Sequence, residues 1–263
     1  MASTLGIALS GIESSQFDLD SLNFISAAGI TSITERYAIN NLVVDLKTNL
    51  LWNNMKAIYP MVGGTSTTCK FNLKDPRDLD AAYRLQFFGG WTFSANGAQP
   101  NGTNANADTF YNPFVQGVPT SSSMSYYSRT NVNAAEAEMG CSAAGLRWSL
   151  IIKYFALFQS QMNNTTTGAA NVTMSDTSLG LFMGTRTSTT AHKGFRQGVE
   201  IISNTQTMAD ANPNANVALA SFETIFSSKE CAFAHIGSGF SDAEAVLLNT
   251  VVQKFNTTLS RNV

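Results

Sequence analysis

Residues 58–76, IYPMVGGTSTTCKFNLKDP, set a short apolar run before Gly63-Gly64, then a second, partly alternating run that stops at Asp75-Pro76. Two short strands joined by a small polar turn are the expectation, because the pattern shifts here from a helical period to period two, with glycine and proline as punctuation. The chain before this stretch is helical in pattern. Phe17, Leu19, Leu22 and Ile25 lead to Gly29, a residue that closes helices in the left-handed conformation. Ser32 with Glu35 three residues on reads as a capping box, and Ile39, Leu42, Val43, Leu46 and Leu50 form one apolar stripe. Residues 1–56 are therefore expected to be a helical segment whose stripe docks against something.

Beyond residue 56 the chain reads as punctuated β-structure. Segments 57–62, 69–73, 83–88, 124–130, 136–140, 146–155, 179–185, 194–202, 218–222 and 231–236 read as strands, separated by clusters such as SANGAQPNGTNANADT (94–109), SAAG (142–145) and NNTTTGAAN (163–171). Many short strands with no helices between them argue against a parallel α/β sheet and for an antiparallel sandwich over 57–263. A closing helix is expected after Ser241, with Glu244 completing its capping box and Leu247, Leu248, Val251, Phe255 and Leu259 on its apolar face.

Composition narrows the function classes. The chain has 263 residues, a net charge of −2 and 13% charged residues, so neither nucleic-acid steering nor attraction to an anionic membrane is expected. Asn, Thr, Ser, Ala and Gly replace charge, as on many extracellular and virion surfaces. The start, MASTLGIALSGIESSQ, lacks the basic and continuous apolar regions of a secretory signal, and no apolar run approaches the roughly 18 residues of a membrane helix. Cys69, Cys141 and Cys231 have no metal-type spacing and read as buried small hydrophobes.

The strands LGLFMGTRTST (179–189) and HKGFRQGVEI (192–201) and the ending CAFAHIGSGFSDAEAVLLNTVVQKFNTTL (231–259) resemble the back half of concanavalin A-like, laminin-G-like jelly rolls. The preface NFISAAGIT (23–31), AINNLVVDLKTNLLWNNMKAIYPMVGGT (38–65) and KFNLKDPRDLDAAYRL (70–85) is similar to the amino-terminal part of bacteriophage virion structural proteins that carry such a domain. One departure is Gln197 before Gly198, where the common turn has Asn. The resemblance implies a mainly β jelly-roll sandwich with an N-terminal helical segment and a C-terminal helix. It also implies a virion protein: a non-enzymatic capsid decoration, head-fibre or tail-associated component, a homo-oligomer in contact with other virion proteins. The alternative is a lectin-like, carbohydrate-binding module that attaches to a host surface glycan.

The resemblance also brings polysaccharide hydrolases into view, which share a strand reading E-x-D-x-x-E. Here NAAEAEMGCS (133–142) offers Glu136 and Glu138 on one strand face, about 7 Å apart along the strand, but Cys141 stands where the third carboxylate would. A solvated strand face is the expectation, and no enzyme is expected. His192, in the turn-like TTAHKG, and His235, on a strand face with Cys231 and Phe233, assemble no site. Asp108 in NANADTFYN is one carboxylate in a polar loop, too few for a Ca²⁺, and neither metal nor cofactor is expected. Among the aromatics near loops, Trp91, Tyr111 and Tyr126 are the candidate ligand-binding residues, with Phe93 and Tyr127 nearby, since an exposed ring stacks on a sugar's apolar face. Asn-x-Ser/Thr triplets begin at Asn101, Asn163, Asn164, Asn171 and Asn256, as so Asn- and Thr-rich a chain produces by chance.

Overall fold

The stretch 58–76 is strand only at its start. A computed structural model describes residues 17–165, 170–174, 177–209 and 211–263, apart from the side chains of 164 and 165. In it Met55–Tyr59 forms β1, but the expected partner strand at 69–73 is instead a short helix, Ser66–Cys69, followed by the buried side chain of Asn72. That amide stands in for a neighbouring strand. Its Oδ1 accepts from the backbone N–H of Ile58 at 2.9 Å, its Nδ2 donates to the carbonyls of Lys56 and Ala82, and Leu73 N donates to Ile58 O at 2.8 Å.

Two helices precede β1: α1, Leu19–Ala28, and α2, Ile33–Thr48. Gly29 ends α1 in the left-handed region at φ 65°, as expected. At α2 the capping box is only half made. Ser32 accepts from Glu35 N, while the Glu35 carboxylate turns away to accept from Gly63 N at 2.9 Å. The short helix Ser66–Cys69 is α3; then come β2 (Gln86–Phe88), β3 (Trp91–Ser94), β4 (Gly97–Pro100), β5 (Asn106–Asp108), α4 (Pro113–Gln116) and β6 (Ser122–Ser128). The chain continues through β7 (Met139–Ala143), β8 (Leu146–Tyr154), β9 (Leu157–Thr165), β10 (Ala170–Thr173), β11 (Gly180–Arg186), β12 (His192–Arg196) and β13 (Val199–Asn204). Short pieces β14 (Ala218–Leu219), β15 (Ser221–Phe222) and β16 (Ile225–Phe226) lead to β17 (Cys231–Gly237) and α5 (Asp242–Thr258). The opening sixteen residues, read as carrying no leader, lie outside the described residues.

The strands form an antiparallel jelly-roll sandwich. One sheet runs β13-β12-β11-β6-β17-β4-β3, with β1 also pairing β17; the other runs β10-β9-β8-β7-β14-β5-β2. Between them lies a core that includes Tyr59, Tyr126, Trp148, Phe158 and Phe182. The outer face of the first sheet carries a second core, where Phe24, Ile39, Leu42, Val43 and Leu46 meet Tyr127, Leu181, Phe195, Phe233, Leu248, Val252 and Phe255. Adjacent residues Tyr126 and Tyr127 thus enter opposite cores, as strand alternation requires.

The helical segment finds the surface its stripe needs within the chain itself. Ile39, Leu42, Val43 and Leu46 of its apolar stripe pack against α5 and the first sheet, while Leu50 at the stripe's end is exposed. The closing helix forms as expected, with Ser241 and Glu244 making the full reciprocal capping box. All three cysteines are free and buried, as expected.

Candidate functional site

The candidate site lies at the open edge of the sandwich, where β2 and β3 are the last strands of their sheets. Gly89 and Gly90 turn the chain from one sheet to the other. Gly89 has φ +74°, and a Cβ there would fall 2.2 Å from the Asn104 carbonyl oxygen, so only glycine fits. The facing loop winds around one side chain: Asn101 Oδ1 accepts from the backbone N–H groups of Thr103, Asn104 and Ala105. Asn104 Oδ1 then accepts from Gly90 N at 3.1 Å, tying the loop to the turn.

Trp91 is half-buried here. Its Nε1–H donates to the carbonyls of Phe88 (3.0 Å) and Asn106 (3.3 Å), and its ring stacks on Phe93 at 6.1 Å and 21° with the edge of Phe87 5.1 Å away. Trp91 borders a pocket of about 420 Å³ together with Gly90, Thr92, Gln99, Pro100, Asn101 and Ser228. Every side chain in that set is neutral. The arrangement sets one aromatic residue beside several hydroxyl and amide groups, a chemistry suited to a neutral polyhydroxyl ligand.

Behind Ser228 stands a buried ion cluster that replaces the solvated strand face expected for Glu136 and Glu138. Both carboxylates are buried just ahead of β7 because Lys229, itself fully buried, brings a cation to them: its Nζ lies 2.9 Å from Glu136 Oε2 and 3.0 Å from Glu138 Oε1. Ser228 Oγ donates to Glu136 Oε1 at 2.5 Å, Ser227 Oγ to Glu138 Oε1 at 3.0 Å, and Ile152 N to Glu138 Oε2. Burial raises the Glu136 pKa, but hydrogen bonds from Ser228 and Lys229 outweigh it and hold the carboxyl below its ordinary value. For Glu138 burial prevails, and its pKa is raised. Lys229 would lose charge on burial, yet the two carboxylates hold its pKa above the ordinary value.

Two of the three sequence-predicted ligand residues are elsewhere. Tyr126 is in the inter-sheet core with its hydroxyl donating to Lys229 O at 2.6 Å, and Tyr111 is buried against Trp148 and Tyr83. Neither presents a ring face to solvent, so neither can stack on a ligand. Only Trp91 stands at the pocket. Sequence reasoning misses Thr92, Gln99 and Ser228, since nothing distinguishes them in so amide- and hydroxyl-rich a chain, and Lys229 sits in a run, SSKE, that reads as exposed loop.

The remaining sequence candidates are structural. His235 is buried with Ser125 Oγ 2.5 Å from Nδ1 and Ser123 Oγ 3.0 Å from Nε2. A register shift between Cys231 and Phe233 puts Cys231 in the inter-sheet core and Phe233 in the helix-side core, so His235 shares a face with Phe233 but not with Cys231. His192 is not in a turn; it opens β12, buried, with Nε2 3.1 Å from Ser160 Oγ. Asp108 is not in a loop; it ends β5, paired with Gln86 and Ala218, and its carboxylate accepts from Phe110 N and Asn216 Nδ2. No group of three or more His, Cys, Asp or Glu placed to hold a metal occurs among the described residues. Among the Asn-x-Ser/Thr triplets, Asn163 and Asn256 are buried, and the Asn164 side chain lies outside the described residues.

No family model and no curated protein matches the chain. Solved structures do. The receptor binding domain of botulinum neurotoxin C/D mosaic serotype is similar at a TM-score of 0.53 with 9% identity, over 76% of this chain and 51% of that one. The receptor binding domain of botulinum neurotoxin D is similar at 0.52 with 8% identity, over 76% of this chain and 53% of that one. This chain matches about half the length of each, and at such identity the likeness establishes the β-sandwich fold. No helix among the described residues is long and apolar enough to cross a membrane.

Proposed function

We propose that the chain is a non-catalytic recognition domain that binds a neutral glycan at the Trp91 pocket, carried on a bacteriophage virion. The observation that carries this reading is the anchored, half-buried indole set among neutral hydroxyl and amide groups. The shared fold with domains described as receptor-binding supports a binding role, and the resemblance of the preface to phage virion proteins supports the location. Behind the pocket wall, Glu136 is occupied on both oxygens, by Ser228 and by Lys229. A domain built this way binds and presents, and that carboxylate is not poised as an acid toward a ligand.

A glycan array followed by calorimetric titration tests the reading. Trp91→Ala loses the stacking surface and weakens binding about tenfold or more. Gln99 borders the pocket with an exposed side chain, and Gln99→Ala costs about 3- to 10-fold in affinity, the value of one neutral hydrogen bond. Absence of binding to every neutral sugar would contradict the reading.

Contact between copies of the chain is a second reading, favoured by one observation. Phe114, Val115 and Val118 are exposed on α4 and the turn after it, while Asn112 caps that helix and Asn212 Nδ2 ties it down through Pro113 O at 2.8 Å. Rigidly held apolar side chains in solvent mark contact surfaces. Light scattering that gives an oligomer for the native chain and a monomer for Val115→Glu supports it; a monomer for both contradicts it.

A further inference from the structure

Ser228 is the point where the buried ion cluster meets the pocket. The segment 227–230 is held on every side: Ser227 O accepts from Gly102 N at 2.9 Å, Ser228 O from Gln99 Nε2 at 3.2 Å, and Lys229 O from Tyr126 OH at 2.6 Å. Ser227 and Lys229 are fully buried, whereas Ser228 is partly exposed and lines the pocket. A hydroxyl has one proton to donate and two lone pairs to accept with. The Ser228 proton is committed inward to Glu136 Oε1, and that carboxylate is in turn fixed by Lys229 on Oε2.

We propose that the Glu136–Lys229–Glu138 cluster is a positioning device that sets the hydrogen-bond polarity of the pocket: Ser228 faces the ligand as an acceptor, so the group seated against it must be a donor, as a sugar hydroxyl is. This rests on the glycan reading above. Lys229 is needed for the effect because an ammonium can only donate. With Nζ between Glu136 and Glu138, the Glu136 oxygen next to it must accept, which leaves the other oxygen to accept from Ser228. Glu138 completes the device by holding Lys229 from the second side and accepting from Ser227.

Glu136→Gln inverts the polarity with little change of shape. The Gln oxygen must turn to Lys229, its NH₂ then donates to Ser228 Oγ, and the Ser228 proton is released toward the pocket. The test uses methyl glycosides of glucose, galactose and mannose and their monofluoro analogues, in which one hydroxyl is replaced by fluorine, which cannot donate. For the native protein, fluorine at the hydroxyl against Ser228 weakens binding about tenfold, the worth of one hydrogen bond. In Glu136→Gln that penalty shrinks to about threefold or less, because Ser228 now donates and fluorine, though it cannot donate, still accepts weakly. An equal penalty in both proteins overturns the proposal. Ser228→Ala keeps the proposal testable if Glu136→Gln does not fold: it must abolish the same fluorine discrimination, and discrimination that persists overturns the proposal. Neutron diffraction reads the device without any sugar. A Ser228 hydroxyl hydrogen directed at Glu136 in the native protein supports it, and one directed into the pocket overturns it. If no parent sugar binds while the hydrogen points at Glu136, the glycan reading fails and the positioning device stands.

Discussion

Arg261 is fully buried with no carboxylate among its partners. Its guanidinium donates to Asn256 Oδ1 (2.8 Å) and to the carbonyls of Met61 (2.7 Å), Pro60 (2.6 Å) and Ala232 (2.7 Å), and burial lowers its pKa to about 10. It ties the end of α5 to the loop after β1 and to β17. Arg261→Met leaves those acceptors unpaired in the interior, and a loss of about 3 kcal/mol or more is expected in urea denaturation; a loss under about 1 kcal/mol would show that the clamp is idle. The two histidines set an acid limit. Burial lowers both to about 3 from an ordinary 6.5, with the nearby Arg186 charge adding to the effect at His192. Between those values the unfolded chain binds protons that the fold does not, so stability falls as pH drops from about 6.5 toward 3, by up to about 1.4 kcal/mol per pH unit for each histidine. Glu138, with its pKa raised, works in the opposite sense, so the histidine share is isolated by comparison: His235→Gln should show a shallower acid slope than the native chain, and an identical slope would refute the assignment.

The elements owe much to turns that do not look like turns. Three two-residue hairpins join β7 to β8, β8 to β9 and β12 to β13, through Ala144-Gly145, Phe155-Ala156 and Gln197-Gly198. All six residues have positive φ, the geometry of a type I′ turn, yet none of the pairs is Asn-Gly or Asp-Gly. That is why β9 and β10 were not legible: a phenylalanine marks no turn, and LFQSQMNNT hides its inward Phe158, Ser160 and Met162 among amides. Residues 194–202, read as one strand from their pattern, are two, joined at the Gln197-Gly198 turn that the resemblance already marked. β3 and β4 were lost in an apparent loop for a related reason. Their apolar residues close an edge, and the Asn96-Gly97 pair is offset by one residue from the true turn, Ala95-Asn96. The long helices α1, α2 and α5, whose caps act within four residues, were legible from sequence, whereas the one-turn helices α3 and α4 were not; the pocket, assembled from segments more than a hundred residues apart, was legible only at Trp91. Gln197→Asn should stabilise the chain by a few tenths of a kcal/mol, since Asn tolerates positive φ better than Gln. Gly198→Ala should destabilise it by more than about 1 kcal/mol, as φ is +77° and a Cβ there would stand 3.3 Å from Val246 Cα. Thermal denaturation of the pair checks both signs, and a stabilising Gly198→Ala would refute the turn assignment.

At the scale of the whole molecule, one sheet serves two cores. Its inner face packs on the second sheet and its outer face on α1, α2 and α5, so β6, β11 and β17 are buried along their whole length. Leu46→Ala, a change in the helix-side core, should therefore cost about 2–5 kcal/mol and lower a single cooperative transition for helices and sandwich alike. Separate transitions would mean that the helical segment is held independently. With both faces of β6, β11 and β17 covered, the proposed glycan pocket lies at the open edge, where β2, β3 and the 101–105 loop surround Trp91. The chain's three tryptophans make this directly measurable, because Trp52 and Trp148 are buried in the two cores and only Trp91 lines the pocket. In an NMR titration of indole-labelled protein with a neutral glycan, the account predicts that the Trp91 Nε1–H signal moves while those of Trp52 and Trp148 stay. A saturating sugar that moves none of the three, or moves the core signals alone, would contradict it.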